Sequence, residues 1–480
     1  MKLLKLSLYG IVVFLCLACS ESTRRQEPDK TPTQPNIIIL LADDLGFGDL
    51  SSYGSQSIHT PNLDALASEG IRFTQFYAGS AVCTPSRACL MTGKFPLRFN
   101  IRQHFRDSSE HMPPSSLMMS ELLKDNGYKT AHVGKWHLGG LRPRDYEARK
   151  AGKIANPGPL QHGFDHSLTS IEGAPIRPKI MKDRRMYRDG GKYLVRDDER
   201  IPEITRHWTD IKIDESIRLI EGFKNQSKPF FLNLWFDAPH TPYEPAPEPH
   251  LSKYKKLGVT GDQLLFRSMV SHLDANVGRL IDYLKDEGLF ENTIILFSSD
   301  NGPAYQGNPG PFKGGKTDLH EGGIRVPMFI SWPGQIKANT QSFQTFHMAD
   351  ILPTILEAVG IEAKDLEIDG KSQLEALKGG AEIKRKPLFW QMDLYEQYQN
   401  QGPKPAPYAT SVILDGQWKL LADPEGPTEL FNLNQDHREL YNLLDQDPNR
   451  VEKMYAELKK FLLMPRDTTG FVEKGQNYMK

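Results

Sequence analysis

The chain has 480 residues, of which 39% are hydrophobic and 25% charged, and its formal net charge is −1. This length suffices for one large domain and a smaller one, and the composition is that of an ordinary globular protein. Basic and acidic residues are interspersed, so the sequence does not suggest a nucleic-acid-binding surface. Because the net charge is close to zero, a binding site for an anionic substrate would need a local cluster of basic residues.

The first residues have the pattern of a secretory signal peptide. Two lysines precede an apolar run over 6–18, which is shorter than the apolar stretch of a typical transmembrane helix. It ends in Leu-Ala-Cys, which resembles the lipobox of bacterial lipoproteins, except that Cys16 stands where leucine is usual. We expect a signal peptide over 1–18, a lipid anchor on Cys19 facing the periplasm or cell surface, and a polar tether over 19–35. The alternative is a soluble periplasmic or secreted product.

Five short apolar runs are typical of buried strands in a parallel sheet. In chain order they cover residues 36–42, 129–134, 229–236, 293–299 and 327–332. Helical patterns lie between them, most clearly the apolar stripe over 269–284, which Gly288 closes, and a shorter pattern over 116–126. This alternation predicts an α/β fold with a large, mostly parallel central sheet and helices on both faces.

The pattern changes near residue 365. A polar, glycine-containing segment over 361–385 precedes short runs that are typical of antiparallel strands, with Asp415-Gly416 as a hairpin turn. A final helix is predicted over 448–463. We therefore expect a large domain over residues 36–365 and a smaller C-terminal α+β subdomain with an antiparallel sheet over 366–480.

Polar side chains follow four of the predicted strands at their carboxyl ends. In chain order they are Asp43 and Asp44, Lys135 and His137, Asp237 and His240, and Asp300 and Asn301. In an open α/β sheet these ends share one edge, where ligands bind. Clustered carboxylates repel one another unless a cation lies among them, and oxygen ligands favour Ca²⁺ or Mg²⁺ over zinc. Asp43-Asp44 alone would fit a cap or turn, but the recurrence of the pattern favours a metal site.

Two cysteines remain after the predicted anchor, Cys83 and Cys89, and both lie in "AVCTPSRACLMTG". Six residues apart in a loop that enters a helix, they are close enough for a disulfide in an exported protein. A small buried thiol is the ordinary alternative. Neither interpretation explains the Thr-Pro-Ser-Arg between them.

The stretch "CTPSRACLMTG" resembles the signature of the type I sulfatases, the formylglycine-dependent branch of the alkaline phosphatase superfamily. Further blocks look like that family's, in its order: "NIIILLADDLGFGDLSSYG", "HTPNLDALASEGIRFTQFYA", "VGKWHLG", "APHTPY", "SSDNG" and "GGKTDLHEGGIRVPMFISWPG". The tail "GQWKLL…ELFNLNQDHRELYNL" resembles the family's C-terminal subdomain. The resemblance runs from about residue 35 to the C-terminus and implies that residues 36–365 are a catalytic sulfatase domain of alkaline-phosphatase-like fold.

The resemblance also implies a nucleophile and a metal. A separate formylglycine-generating enzyme would recognise the Thr-Pro-Ser-Arg element and oxidise Cys83 to formylglycine, whose hydrated aldehyde attacks sulfur. One Ca²⁺ ion, with Mg²⁺ less expected, would be bound by the modified residue 83 together with four oxygen donors, which match Asp43, Asp44, Asp300 and Asn301.

Five further positions match catalytic residues of the family. Arg87 resembles the arginine that braces the site, and Lys135 and Lys316 match the lysines that contact sulfate. His137 matches the base that takes a proton from the second hydroxyl of the diol. His240 matches the candidate acid for the departing alcohol, and the division of that role between His240 and Lys316 stays open.

Three other residues are candidates for substrate contact. Arg98 and His104 lie in the basic stretch over 95–106, and His320 precedes Glu-Gly-Gly. The stretch could grip an anionic sugar, but a solvated or core-bracing stretch is an equally good interpretation.

We expect an exported enzyme that hydrolyses sulfate esters on polysaccharides or their fragments, from algal polymers such as ulvan or from host glycans. The choice of carbohydrates as substrates rests on the signal peptide, because it places the enzyme outside the cytoplasm, where sulfated glycans occur. One alternative is a phosphonate or phosphate ester hydrolase of the same superfamily. Another is a non-catalytic glycan-binding lipoprotein, if Cys83 is not matured.

Overall fold

The computed structural model describes residues 34–105, 110–153, 155–170, 194–201, 206–393 and 409–469. The predicted signal peptide and Cys19 lie outside the described residues. Within those ranges no helix is both long and apolar enough to cross a membrane.

The strands of the described ranges form three sheets. Their bounds, in chain order, are β1 Asn36–Ala42, β2 Gly70–Phe73, β3 Phe76–Tyr77, β4 Lys129–Gly134, β5 His166–Ser170, β6 Leu194–Arg196, β7 Glu199–Ile201, β8 Phe230–Trp235, β9 Thr293–Ser299, β10 Met328–Ser331, β11 Thr340–Ser342, β12 Phe346–His347, β13 Leu388–Gln391, β14 Ser411–Asp415, β15 Trp418–Ala422 and β16 Pro427–Asn432.

The α-helices of the same ranges vary widely in length. Their bounds are α1 Pro61–Ser68, α2 Cys83–Thr92, α3 Met119–Asp125, α4 Pro143–Lys150, α5 Trp208–Lys224, α6 His250–Lys256, α7 Gly261–Asp286, α8 Glu321–Ile324, α9 Ile351–Ala358, α10 Leu374–Leu377 and α11 Pro448–Leu462. Helix α7 contains the apolar stripe predicted over 269–284. Helix α3 begins at Met119, later than the predicted start at 116, where the Glu121 carboxylate accepts the Met118 N–H at 2.8 Å.

The central sheet has the strand order β11-β2-β10-β9-β1-β8-β4-β5-β6-β7. Strand β1 lies at its middle and pairs in parallel with β8 and with β9, and β8 pairs in parallel with β4. Every residue of β1 is buried, as expected for a continuous apolar run covered on both faces.

Strand β10 corrects one sequence-based prediction. The run over 327–332 was expected to be parallel, but β10 pairs antiparallel with both β9 and β2. The chain leaves β9 at its carboxyl end, forms the loops after residue 300, and enters β10 from that same edge. It must therefore run back across the sheet, which an apolar run alone does not reveal.

Helices cover both faces of the sheet, as predicted. Side chains of β1 alternate between two cores, because successive residues of a strand point to opposite faces. Ile37, Ile39 and Leu41 pack in a cluster with Leu90 of α2. Ile38, Leu40 and Ala42 pack in another cluster, which includes Leu273 of α7.

The C-terminal sheet is antiparallel, in the order β13-β14-β15-β16. Gly416 adopts a φ of 59° in the turn between β14 and β15, as the Asp-Gly signal predicts. The core of this sheet also contains Val82, Phe95 and Ile324, residues from the part of the chain that forms the central sheet. The described residues from Gln34 onward form one compact unit, and the boundary at 365/366 stays a prediction.

Candidate active site

The carboxyl ends of β1 and β9 bring two pairs of polar residues together. The strands lie side by side, with Ala42 opposite Ser299, so the residues that follow them emerge at one edge. The Asp44 N–H donates to Asp300 Oδ1 at 3.2 Å, and Asn301 Nδ2 donates to Asp44 Oδ1 at 2.8 Å. The two pairs that the sequence places in one site are in direct contact.

The backbone at this edge is strained. Asp44 has a φ of 60° and His137 a φ of 58°, a region that costs a non-glycine residue about 1–3 kcal/mol. Gly134, at the end of β4, has a φ of 117°, and a Cβ there would lie 1.7 Å from the carbonyl oxygen of Trp235. Strain of this kind persists where the surrounding fold holds a side chain in one direction.

Cys83 lies beside Asp43 in the first turn of α2. Its Sγ is 3.6 Å from Asp43 Oδ1, and the residue is 3% exposed. Burial raises the pKa of the thiol to about 12, although Lys135 and Lys316 oppose the shift. The unmodified thiol is therefore protonated at neutral pH and is a poor nucleophile. Cys83 and Cys89 are both free and buried, so the disulfide alternative is wrong.

Helix α2 ties residue 83 to the neighbouring loops. Thr84 Oγ1 donates to the His137 carbonyl at 3.0 Å. Arg87, which is fully buried, donates to Asp300 Oδ2 through Nε at 3.0 Å and Nη2 at 2.6 Å. Its Nη1 donates to the Lys135 carbonyl at 3.1 Å. Two donors of one guanidinium on a single carboxylate oxygen form strong charge-assisted hydrogen bonds that hold Asp300 in place.

Two lysines reach the acid pair from different loops. Lys135 Nζ lies 2.6 Å from Asp43 Oδ2, and Lys316 Nζ lies 2.7 Å from Asp44 Oδ1. Burial opposes their charge, but the carboxylates more than offset it, so the pKa of each lysine lies above its ordinary value. Two cations are thus held beside the acid pair and near Cys83.

Two histidines complete the edge. Burial, reinforced by Lys135, lowers the pKa of His137 well below its usual value, so its ring is neutral at pH 7. His240 has Nδ1 hydrogen-bonded to the Thr241 carbonyl, and its Nε2 lies 3.5 Å from Asp44 Oδ2. Burial and Lys316 lower its pKa as well.

The donor set fits a divalent cation. Asp43, Asp44, Cys83 and His240 each offer an atom within 4.8 Å of one another. Asn301 Oδ1 is buried, and it has no hydrogen-bond partner among the described residues. A buried amide oxygen of this kind next to carboxylates is a suitable ligand for a hard cation, and the oxygen-rich set favours Ca²⁺. The identity of the ion stays a prediction.

The three candidate substrate residues are placed differently. His104 lies near the site, with its ring centroid 6.2 Å from that of His137. Arg98 instead holds Asp369 through two hydrogen bonds of 2.6 and 2.5 Å. His320 has both ring nitrogens engaged by carboxylates, Asp318 at 2.6 Å and Glu429 at 2.8 Å. For Arg98 and His320 the structure therefore favours a bracing role over the expected substrate contact.

Sequence analysis named Asp237 but missed Trp208 and Lys212, which bind it and so hold the loop of His240. Asp237, directly after β8, accepts hydrogen bonds from Trp208 Nε1 at 2.5 Å and from Lys212 Nζ. Its carbonyl accepts the His240 N–H at 2.8 Å. Lys212 is fully buried. The available signal is its spacing, because Lys212 lies four residues after Trp208 and shares the buried face of α5.

A second group of potential metal ligands, His207, Asp210 and His272, joins α5 to α7. His207 Nδ1 accepts the Thr209 N–H at 3.2 Å, so its Nε2 carries the proton. His272 Nε2 lies 2.8 Å from Asp210 Oδ1. These hydrogen bonds show that the group links α5 to α7, which explains its arrangement without a metal ion.

Comparisons with known proteins identify the family of the chain. The family model described as Sulfatase matches residues 35–361. A second, described as the C-terminal part of N-sulphoglucosamine sulphohydrolase, matches residues 314–467.

Individual relatives extend the similarity over most of the chain. N-acetylgalactosamine-6-sulfatase of Homo sapiens is 35% identical over 382 residues, which cover 75% of this chain and 68% of that protein. Arylsulfatase A of Bos taurus is 30% identical over 93% of this chain and 90% of that protein. The crystal structure of Ps i-CgsB in complex with k-i-k-neocarrahexaose has a TM-score of 0.78 and 28% identity, over 93% of this chain and 96% of that one.

Proposed function

Because the chain belongs to the sulfatase family, we propose that it hydrolyses sulfate esters carried by carbohydrates, with a formylglycine made from Cys83 and a Ca²⁺ ion. One observation carries the proposal. Cys83, two lysines, His240 and the acid pairs meet at a single edge of the central sheet, 2.6–3.6 Å from one another in successive contacts. His137 lies at the same edge, where its carbonyl accepts a hydrogen bond from Thr84.

Two groups that this chain acquires would supply the nucleophile and part of the charge stabilisation. Formylglycine at position 83 provides a hydroxyl nucleophile when hydrated, and Ca²⁺ neutralises sulfate oxygens. Asp43, Asp44, Asp300 and Asn301 would hold the ion. Arg87 keeps Asp300 in place through two hydrogen bonds to Asp300 Oδ2.

The remaining residues bind the sulfate group and move protons. Lys135 and Lys316 would hold the sulfate oxygens and stabilise the charge that develops in the transition state. His137 is neutral and buried, which suits a group that accepts a proton at residue 83. His240, whose Nε2 faces the acid pair, would protonate the departing sugar oxygen, alone or with Lys316.

The first substrates to test are sulfated galactose-type and N-acetylgalactosamine-type glycans. The human relative is named N-acetylgalactosamine-6-sulfatase, and the neighbouring structure was solved with a neocarrahexaose. Algal galactans and animal glycosaminoglycans are therefore the leading classes, and ulvan belongs in the same panel.

The test is sulfate release across a panel of sulfated mono-, oligo- and polysaccharides, after co-expression with a formylglycine-generating enzyme. We expect release from one sugar class, abolished by Cys83→Ala. Cys89→Ala is the matched control, since Cys89 lies on the same buried helix but outside the site, and it should retain activity.

The panel also separates the alternatives. Release from aryl phosphonate or phosphate esters in preference to every sulfate ester would favour the related hydrolase. Binding to a glycan without turnover, with Cys83 unconverted even under co-expression, would favour a non-catalytic lipoprotein. Silence toward all sulfate esters with residue 83 fully converted would contradict the proposal.

We also propose that the mature protein is exported and lipid-anchored at Cys19, on the basis of the lipobox-like "LAC". A Cys19→Ala variant should move from the membrane fraction to the soluble fraction. Equal partitioning of variant and wild type would contradict the anchor and leave the enzymatic proposal untouched.

A further inference from the structure

The loop that carries Lys316 is closed on itself. We define the Lys316 loop as residues 313–322, in which the Gly322 N–H donates to the Lys313 carbonyl at 2.7 Å. Within it Thr317 is buried and has a φ of 68°, a conformation that β-branched residues rarely adopt. The Lys316 N–H donates to the Pro303 carbonyl at 2.8 Å, and the Thr317 N–H to the Ala81 carbonyl at 2.9 Å.

One carboxylate of the C-terminal sheet holds a side chain of this loop on each side of Lys316. Glu429, on β16, accepts from Lys313 Nζ through Oε1 at 2.9 Å. Its other oxygen, Oε2, accepts from His320 Nε2 at 2.8 Å. Lys313 and His320 lie three residues before and four residues after Lys316, and Glu429 is 6% exposed.

The bridge is ionic. His320 donates to Glu429 through one ring nitrogen and to Asp318 through the other, which requires an imidazolium. Burial opposes this charge, but the two carboxylates raise the pKa of His320 to about 9. Glu429 therefore lies between two cations, Lys313 and His320, at neutral pH.

The C-terminal end of the loop has a second anchor. Glu321 is fully buried, and its carboxylate accepts from Lys419 Nζ of β15 at 2.9 Å and from Tyr77 Oη at 2.8 Å. The Glu321 N–H donates to Glu439 Oε2 at 2.7 Å. This anchor is independent of Glu429, so removal of the Glu429 carboxylate leaves the packing between the two sheets in place.

We propose that Glu429 is a positioning residue for Lys316, through which the C-terminal sheet sets the place of the lysine that contacts sulfate. The inference rests on the proposed function, because Lys316 acts on the sulfate group there. Lys316 Nζ lies 2.7 Å from Asp44 Oδ1, and a shift of about 1 Å in a catalytic group can cost on the order of 100-fold in rate.

The test compares Glu429→Ala with the conservative Glu429→Gln and with Asp415→Ala. Gln keeps one acceptor oxygen and the side-chain shape. Asp415 is exposed, at the end of β14 in the same sheet, and supplies the matched control. For a substrate turned over by the wild type, we expect Glu429→Ala to lower kcat about tenfold or more and Glu429→Gln to recover most of it. The Tm of all three should stay within about 4 °C of wild type.

A second readout does not depend on turnover. Hydrogen exchange at the Lys316, Thr317 and Gly322 amides should be faster in Glu429→Ala and unchanged in the β14–β15 hairpin. If Glu429→Ala folds poorly, Lys313→Met replaces it in the test. The Lys313 side chain is 40% exposed, and its substitution removes one of the two hydrogen bonds to Glu429, so it should show the same effects more weakly.

The outcomes separate this inference from the proposed function. An inactive wild type with residue 83 converted would contradict the function, while exchange in the loop would still report on the bridge. An active wild type with unchanged kcat in Glu429→Ala would overturn only the inference. So would a fall in kcat without faster exchange in the Lys316 loop, because Glu429 would then act by another route.

Discussion

Burial and neighbouring charge set the protonation states of Cys83, the two lysines and His137 in the site. The Cys83 thiol is kept neutral by burial, while Lys135 and Lys316 stay charged because each has a carboxylate partner. His137 is neutral because it is buried close to cations. The site thus presents two cations and a neutral histidine around a protonated thiol, an arrangement consistent with the proposed conversion of Cys83.

His320 gives the clearest pH-dependent prediction at this scale. Its pKa in the folded state is about 9, above the usual 6.5, so its stabilising effect is fully present below pH 6.5 and is lost as the pH rises through 9. Asp318, Glu429 and Glu439 face the ring and favour its charge.

Between pH 6.5 and 9.5 we expect the free energy of unfolding of the wild type to fall by about 2–3 kcal/mol more than that of His320→Gln. Denaturant unfolding at a series of pH values measures it, with His437→Gln, at an exposed histidine, as the control. Parallel pH profiles of wild type and His320→Gln would contradict the ionic bridge.

Sequence analysis could predict site residues that directly follow strands. It could not predict residues whose partners lie far away in the sequence. Asp43, Asp44, Asp300 and Asn301 follow apolar runs directly, and neighbouring parallel strands bring them together. Glu429 is 109 residues away from His320 in the chain. Its contact depends on how the C-terminal sheet packs, which no local pattern encodes.

At the scale of elements, the Lys316 loop illustrates how glycines permit close approach of backbone segments. A Cβ at Gly322 would lie 2.5 Å from the Gly314 carbonyl oxygen and 2.6 Å from that of Lys313, closer than real Cβ contacts allow. Gly322→Ala should therefore displace the loop that carries Lys316 and lower kcat more than tenfold.

The matched control for this substitution is Gly222→Ala. Gly222 lies exposed inside α5, and a Cβ there would meet no atom within 4 Å. The change should leave activity intact and stabilise the protein by about 0.5–1 kcal/mol. Equal kcat values for the two variants would show that the loop accommodates a side chain and would contradict the tight packing described here.

Element types were more predictable than element directions. Apolar runs identified β1, β4, β8 and β9 because buried strands need continuous apolar side chains. The antiparallel direction of β10 follows from the route of the chain after Asp300, where a long loop returns to the same edge. Such a route depends on tertiary contacts, for example the hydrogen bond of the Gly302 N–H to the Gly323 carbonyl at 2.9 Å.

At the scale of the whole molecule, a bound cation would couple the active site to stability. Asp43, Asp44 and Asp300 lie together and are almost fully buried, and burial together with repulsion from Asp43 raises the pKa of Asp300 to about 6 even though Arg87 opposes the shift. A ligand that binds the folded state alone raises its stability.

We therefore expect excess Ca²⁺ to raise the Tm of chelator-treated protein by about 3 °C or more, with a smaller rise in Mg²⁺, which prefers shorter, octahedral coordination. An Asn301→Ala variant should show a reduced response. Identical melting curves in Ca²⁺ and in chelator would argue against a calcium site at this edge.

The central claim is that residue 83, once converted, is the nucleophile of a sulfatase. The most direct measurement prepares protein batches with different fractions of residue 83 converted, determined by peptide mass, and measures their rates of aryl sulfate hydrolysis. The account predicts that the rate rises in proportion to the converted fraction and extrapolates to zero for unconverted protein. A rate that is independent of the converted fraction, or no hydrolysis at full conversion on any sulfate ester, would contradict it.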